Sequence, residues 1–563
     1  MRDRTRDGFW NRAEAYFLSH FPRLWRIVMA IPPLRRHANK CIISRAAERA
    51  PSRPYPFSTL EDYTSWRSLT DRTWFSRHLP RKDLPSLPSL KSMEALFEVR
   101  QGGPTLSEDS TVLFMSFAQW FTDGFLLTDA DRRKTFTTHQ IDLSPVYGLC
   151  RPETNALRVN SEARGQKGRM KTETVNGEFY APRLFDETKL DLKDLANPDF
   201  DERRAFKAEF ASLRRKLTSF SRNRQRLITE LGPKPASERA AELAKATLRV
   251  AELAKTTFAF GGERANITPF TAALNTLFLR EHNRLAGMLE DANEGWDDER
   301  VFQTARNINI VLLIKIVVEE YINHISPYHF QLSADPSVSW RADWNRPNWI
   351  PLEFNLLYRW HSMTPDRFKI SNQTVNVKGT LQDNSYLTKR GLAETLVSAS
   401  HQQSWRLGLF NTADDLLPVE LFGIEQSREN HIGSYNDYRE AFKYPRVTRF
   451  EQITDDQEKI DALRSFYGDV DNIEFVVGLF AEDIAPRAAL PPLTGRMVAF
   501  DAFSHAFTNP LLSEQVFNER TFSKEGMETI HATHTLEDIL NRNLAGAPVA
   551  ISMTYRQPPA VTV

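Results

Sequence analysis

Cysteine is nearly absent. Cys41 and Cys150 are the only two in 563 residues, too few for a disulfide framework and without the spacing of a metal cage. That usage fits a reducing compartment. Charge of one sign is not in excess either: 73 basic residues stand against 72 acidic ones, which argues against a general nucleic-acid binder. Long hydrophobic runs are missing, so no transmembrane helix is expected. The first residues, MRDRTRDGFWNR, lack the apolar centre of a signal peptide. What is present is a 41% hydrophobic composition with 11% aromatics, ample for a core. The length predicts one large domain or two packed ones.

Residues 8–50 alternate bulky apolar side chains (Phe9, Trp10, Tyr16, Phe17, Phe21, Leu24, Trp25, Ile27) with Arg12, Arg23, Arg26, Arg35, Arg36 and Lys40. The pattern predicts short helices broken at Pro22 and Pro32-Pro33, with one apolar and one cationic face. Such a segment is either a cap packed on the core or an anchor lying in one membrane leaflet. Residues 58–105 are rich in Pro and Ser and read as wrapping loops. Thr111 to Thr128, TVLFMSFAQWFTDGFLLT, predicts a strongly apolar helix. Residues 190–256 are dense in charge and predict solvated helices. Phe270, Leu274, Leu277 and Leu285 have the spacing of a core helix, and residues 301–325, apolar almost all round, predict another.

One stretch carries chemistry. Glu353 to His361, EFNLLYRWH, read as a helix, puts Tyr358 and His361 on one face, and Pro365 stops the helix soon after. A neutral imidazole is a good axial ligand for haem iron, and a tyrosine one turn away would sit beside the same cofactor. The same two residues also fit a histidine packed among core aromatics.

The wording of EFNLLYRWH closely resembles the proximal helix of the cyclooxygenases, within the animal-type haem peroxidase superfamily. Arg280 to Arg284 (REHNR) and Ile424 to Tyr438 (IEQSRENHIGSYNDY) resemble the same family, and the likeness runs with gaps over most of residues 10–555. It implies a mainly α fold: a large haem-peroxidase helical domain over residues 51–563, preceded in residues 1–50 by short amphipathic, membrane-apposed helices. The charged segment at about 190–256 looks like an insertion relative to that family, and the family's cystine-rich module is missing.

Residue by residue, the resemblance makes His361 the proximal iron ligand and Tyr358 the radical that takes hydrogen from a fatty acid. Tyr321 is expected to orient Tyr358. Gln119 is kept on the distal helix, but Asp123 stands where the family has its catalytic distal His. Arg264, in GGERANITP, falls on the Arg that polarises bound peroxide. Arg45, in CIISR, and Tyr328, in YINHISPYHF, match the pair that holds the substrate carboxylate. Ser504, in MVAFDAFS, aligns after one deletion with the serine that aspirin acetylates in animals. Thr122 and Ile267 occupy positions where covalent-haem relatives carry carboxylates, which implies non-covalent haem b.

The expected activity is therefore a haem-dependent dioxygenation of a polyunsaturated fatty acid, with O2 as second substrate and peroxide as activator. A cytoplasmic protein peripherally attached to a membrane surface, with no nucleic-acid partner, is expected. Two alternatives stay open: a haem peroxidase or peroxygenase using Asp123, and a membrane-associated haem protein without catalysis. A nearby Arg264 would lower the Asp123 pKa and burial would raise it; a carboxylate held low is the expectation, and it is a weaker base than imidazole.

Overall fold

The computed structural model describes residues 16–48, 55–184, 256–370, 373–486 and 488–556. Helices dominate, and the three sheets among these residues are two-stranded. The predicted helices at 190–256 lie outside the described residues but for Thr256, as do residues 8–15 of the N-terminal segment.

The helices are interrupted where the N-terminal prolines stand, as expected, and each proline opens the helix that follows. Pro22–Ala30 (α1) and Pro32–Ala47 (α2) each carry Pro in the first turn, where the missing N–H has no partner to lose. Trp25 of α1 is buried, with its ring 5.5 Å from that of Phe330. Phe17, Phe21, Leu24, Ile27, Ile31 and Leu34 stay exposed. The segment is thus docked on the core and still presents an apolar face.

The apolar run after Thr111 forms Val112–Thr122 (α3), capped by the Thr111 hydroxyl, which accepts from the Phe114 N–H at 3.2 Å. The helix is shorter than the predicted 111–128. The Thr122 hydroxyl bonds back to Ala118 O at 2.7 Å, and Gly124 follows the C-cap Asp123. The Thr268–Thr271 capping box opens Pro269–Ala292 (α4), and Asp297 caps Asp298–Ile316 (α5). The two pack side by side, with α4 also against α3. The stretch Asp298–Ile325 is long and apolar enough to cross a membrane, but 83% of its apolar window is buried inside the fold. It is a core element, as expected. Its last part, Val317–Ile322, relaxes into a π-helical turn. Such turns often mark functional sites, and this one delivers Tyr321, which is fully buried.

The predicted helix over Glu353–His361 is divided. The α-helix covers only Leu352–Leu357 (α6), and His361 opens a separate tight turn, His361–Met363. Tyr358 and His361 therefore do not share one helix face. The cause is local: the Trp360 indole donates to Leu357 O at 2.7 Å, occupying a carbonyl that a continuing helix would use. Leu417–Glu429 (α7) and Pro492–Phe507 (α8) complete the surroundings of this segment; α8 packs against both α6 and α2.

Candidate active site

A cavity of about 550 Å³ separates α3 from the chain that follows α6, within the ~300–1,000 Å³ usual for ligand and cofactor sites. Gln119, Thr122 and Asp123 line one side, and Tyr358, Arg359, Trp360 and His361 another. Arg264 and Ile267 come from the loop before α4, and Val419 and Phe422 from α7. Seven of the residues that sequence reasoning singled out thus meet in one place: Gln119, Thr122, Asp123, Arg264, Ile267, Tyr358 and His361.

On the α3 side, Arg264 Nη1 donates to Asp123 Oδ1 at 2.9 Å. Asp123 Oδ2 is buried and makes no hydrogen bond. Burial pushes the Asp123 carboxyl above its ordinary range, and Arg264 opposes this without reversing it. The expectation that Arg264 would hold Asp123 low is corrected: the desolvation of a carboxylate in this wall is the larger effect.

On the opposite side, His361 Nδ1 lies 3.4 Å from Glu420 Oε2, leaving Nε2 as the nitrogen free to face a ligand. Glu420 was not found by sequence reasoning. It sits one turn before the stretch Ile424 to Tyr438 that resembles the cyclooxygenases, and nothing in its own neighbours marks it. Arg359 is fixed by Gln426 Oε1 at 2.7 Å and Asn355 Oδ1 at 3.2 Å. Burial, together with the like charge of Arg264, pushes the Arg359 guanidinium down to about 10. A site that strains a guanidinium this way favours an anion.

Tyr358 is held by its ring. It stacks on Trp360 at 4.6 Å and meets Phe354 edge-on at 5.0 Å. Its hydroxyl is buried, and burial pushes the phenol well above its ordinary range. Tyr321 is near enough for the two hydroxyls to influence one another, though neither makes a well-formed hydrogen bond.

The remaining predicted residues lie elsewhere. Arg45, on α2, borders a separate polar depression of about 480 Å³ with Lys40, Ser44, Arg341 and Arg346. Tyr328 is half-buried against the core and lines neither cavity. Ser504 is fully buried on α8, accepting from Asn348 Nδ2 at 2.8 Å and donating to Asp501 O at 2.9 Å. One turn away, Asp501 pairs with His78 at 3.0 Å. Glu353 accepts from the Tyr438 hydroxyl at 2.8 Å. The surroundings of Ser504 therefore include buried charge rather than hydrocarbon alone.

Residues 203–552 match the sequence profile described as animal haem peroxidase. Prostaglandin G/H synthase 2 of Equus caballus is 29% identical over 548 residues, covering 95% of this chain and 81% of the relative. Prostaglandin G/H synthase 1 of Rattus norvegicus is 28% identical over 558 residues, covering 96% and 82%. Among solved structures, the Oryza sativa fatty acid alpha-dioxygenase superposes with a TM-score of 0.65 at 14% identity, covering 99% of this chain and 98% of that one. Peroxidase A from Dictyostelium discoideum gives 0.60 at 17% identity, covering 91% and 99%. At these identities the two structures speak for the helical fold.

Proposed function

Because this chain belongs to the animal haem peroxidase family, we propose that the cavity between Asp123 and His361 holds haem and that the protein is a fatty-acid dioxygenase. The residues present fit the cofactor. His361 would present Nε2 to the iron, the wall is largely apolar, and Arg264 and Arg359 would set cations beside the propionates. Thr122 and Ile267 line the cavity without a carboxylate to esterify, which supports non-covalent haem b. The observation that carries the reading is the position of Tyr358 on the same wall as His361, its hydroxyl buried.

Bound haem supplies a one-electron oxidant; everything else is work for the chain. Tyr358 would give that oxidant its electron and hydroxyl proton together, and the Trp360 and Phe354 contacts keep the ring from turning. The buried hydroxyl keeps water from the radical. The phenoxyl takes hydrogen from a bis-allylic carbon of a polyunsaturated fatty acid, which restores the O–H and leaves a carbon radical. O2 adds to that carbon, and the peroxyl recovers hydrogen from Tyr358, giving a hydroperoxide and the phenoxyl again. Fatty acid plus O2 thus balances as hydroperoxide, with peroxide needed only to start.

Arg45, in its polar depression, is the proposed contact for the substrate carboxylate, since a guanidinium pairs with it bidentately. The exposed apolar side chains of α1 support peripheral attachment to a membrane. Liposome co-sedimentation of the full chain should pellet it; failure to pellet would favour a plain packing role.

A peroxidase or peroxygenase is the second reading, and one observation favours it. Asp123 is raised by burial and keeps Oδ2 unpaired, as a general acid would be. Oxygen uptake by haem-loaded protein with linoleate, followed by identification of the product, tests the choice. Stoichiometric uptake with a hydroperoxide product supports dioxygenation, and peroxide consumption without O2 uptake refutes it.

A further inference from the structure

We infer that Glu420 is a positioning residue for His361: it accepts the Nδ1 proton and so sets how strongly Nε2 donates to a bound metal. The inference rests on the haem reading of the cavity. Glu420 lies in the first turn of α7, its side chain only 2% exposed, with Oε2 3.4 Å from His361 Nδ1. Its other oxygen is already anchored, accepting from Thr412 Oγ1 at 3.1 Å. One carboxylate oxygen is therefore tethered and the second is aimed at the imidazole.

Two further facts give this arrangement meaning. His361 Nδ1 is buried and has no other hydrogen-bond partner, and a buried polar atom left so is costly. Among the described residues, His361 is also the only group in ion-pair range of Glu420. The 3.4 Å gap exceeds a good hydrogen bond, yet such contacts often tighten only when a site is filled. A carboxylate on the far nitrogen of a metal-bound histidine fixes its tautomer and ring orientation and raises its basicity. That matters more here, because the distal side carries Asp123 already engaged by Arg264.

The test is spectroscopic. Ferrous haem-loaded wild type, Glu420→Gln and Glu420→Asp are compared by the iron–histidine stretching band in resonance Raman and by midpoint potential. Glu420→Gln keeps the shape and the Thr412 contact but loses the charge. Its band should move to lower frequency and its potential to more positive values. Glu420→Asp, with a shorter arm, should shift in the same direction and guards against a folding failure of the first variant. Bands and potentials equal to wild type in both would overturn the inference, even if thermal stability fell. A wild type with no iron–histidine band would overturn the haem reading itself, and Glu420 with it.

Discussion

Arg264 Nη1 lies 2.9 Å from Asp123 Oδ1, so the two groups assigned separately to peroxide chemistry form a single ion pair. One carboxylate oxygen is committed to the guanidinium. The other is buried and unpartnered, so only one oxygen of the pair is left to exchange a proton. Splitting peroxide needs a group that takes a proton from one oxygen and returns it to the other.

Asp123→His should therefore raise peroxide-driven dye oxidation by haem-loaded protein. General acid–base catalysis contributes about 10²–10⁴-fold, and some part of that range is expected back. Brisk peroxide turnover by wild type, slowed by the substitution, would instead make Asp123 a tuned acid and favour the peroxidase reading.

Arg45→Ala tests the carboxylate contact. A charge-assisted hydrogen bond contributes about 1.5–3 kcal/mol. Arg45 is exposed, so the lower end applies, roughly a tenfold weaker binding of free fatty acid. Methyl esters should bind equally to both proteins. Equal affinity of the two for the free acid would remove Arg45 from the site.

Glu320 gives the fold a pH dependence. Burial raises its carboxyl from 4.5 to about 7, with Asp538 and Glu537 adding to the effect. Its Oε2 accepts from Leu536 N at 2.7 Å. Between those two values the folded state keeps a proton that the unfolded chain has released. Stability is full below the unfolded value and falls as pH rises through about 7, by ~3 kcal/mol in all. Glu320→Gln should flatten the decline in Tm between pH 5 and 7; an unchanged slope would mean Glu320 does not cause it.

Much of the site was legible because it rests on local wording. EFNLLYRWH placed Tyr358 and His361, and the apolar run around Gln119 placed the opposite wall. The break after Leu357 was not legible, since it depends on the Trp360 indole taking a carbonyl that helix periodicity assigns to the backbone. Glu420 was missed because its meaning comes from a contact across 59 residues of chain, at 3.4 Å from His361. The sign of the Asp123 shift required knowing how deeply α3 buries it. The His78–Asp501 pair likewise joins segments far apart in sequence.

The central claim is that Tyr358 carries the radical, and oxygen uptake by haem-loaded Tyr358→Phe measures it most directly. The substitution keeps the ring that stacks on Trp360 at 4.6 Å and removes only the hydroxyl. With linoleate and a trace of peroxide, wild type should consume O2 and form hydroperoxide. Tyr358→Phe should bind haem with an unchanged spectrum and consume none. Oxygen uptake by the variant at the wild-type rate would contradict the account.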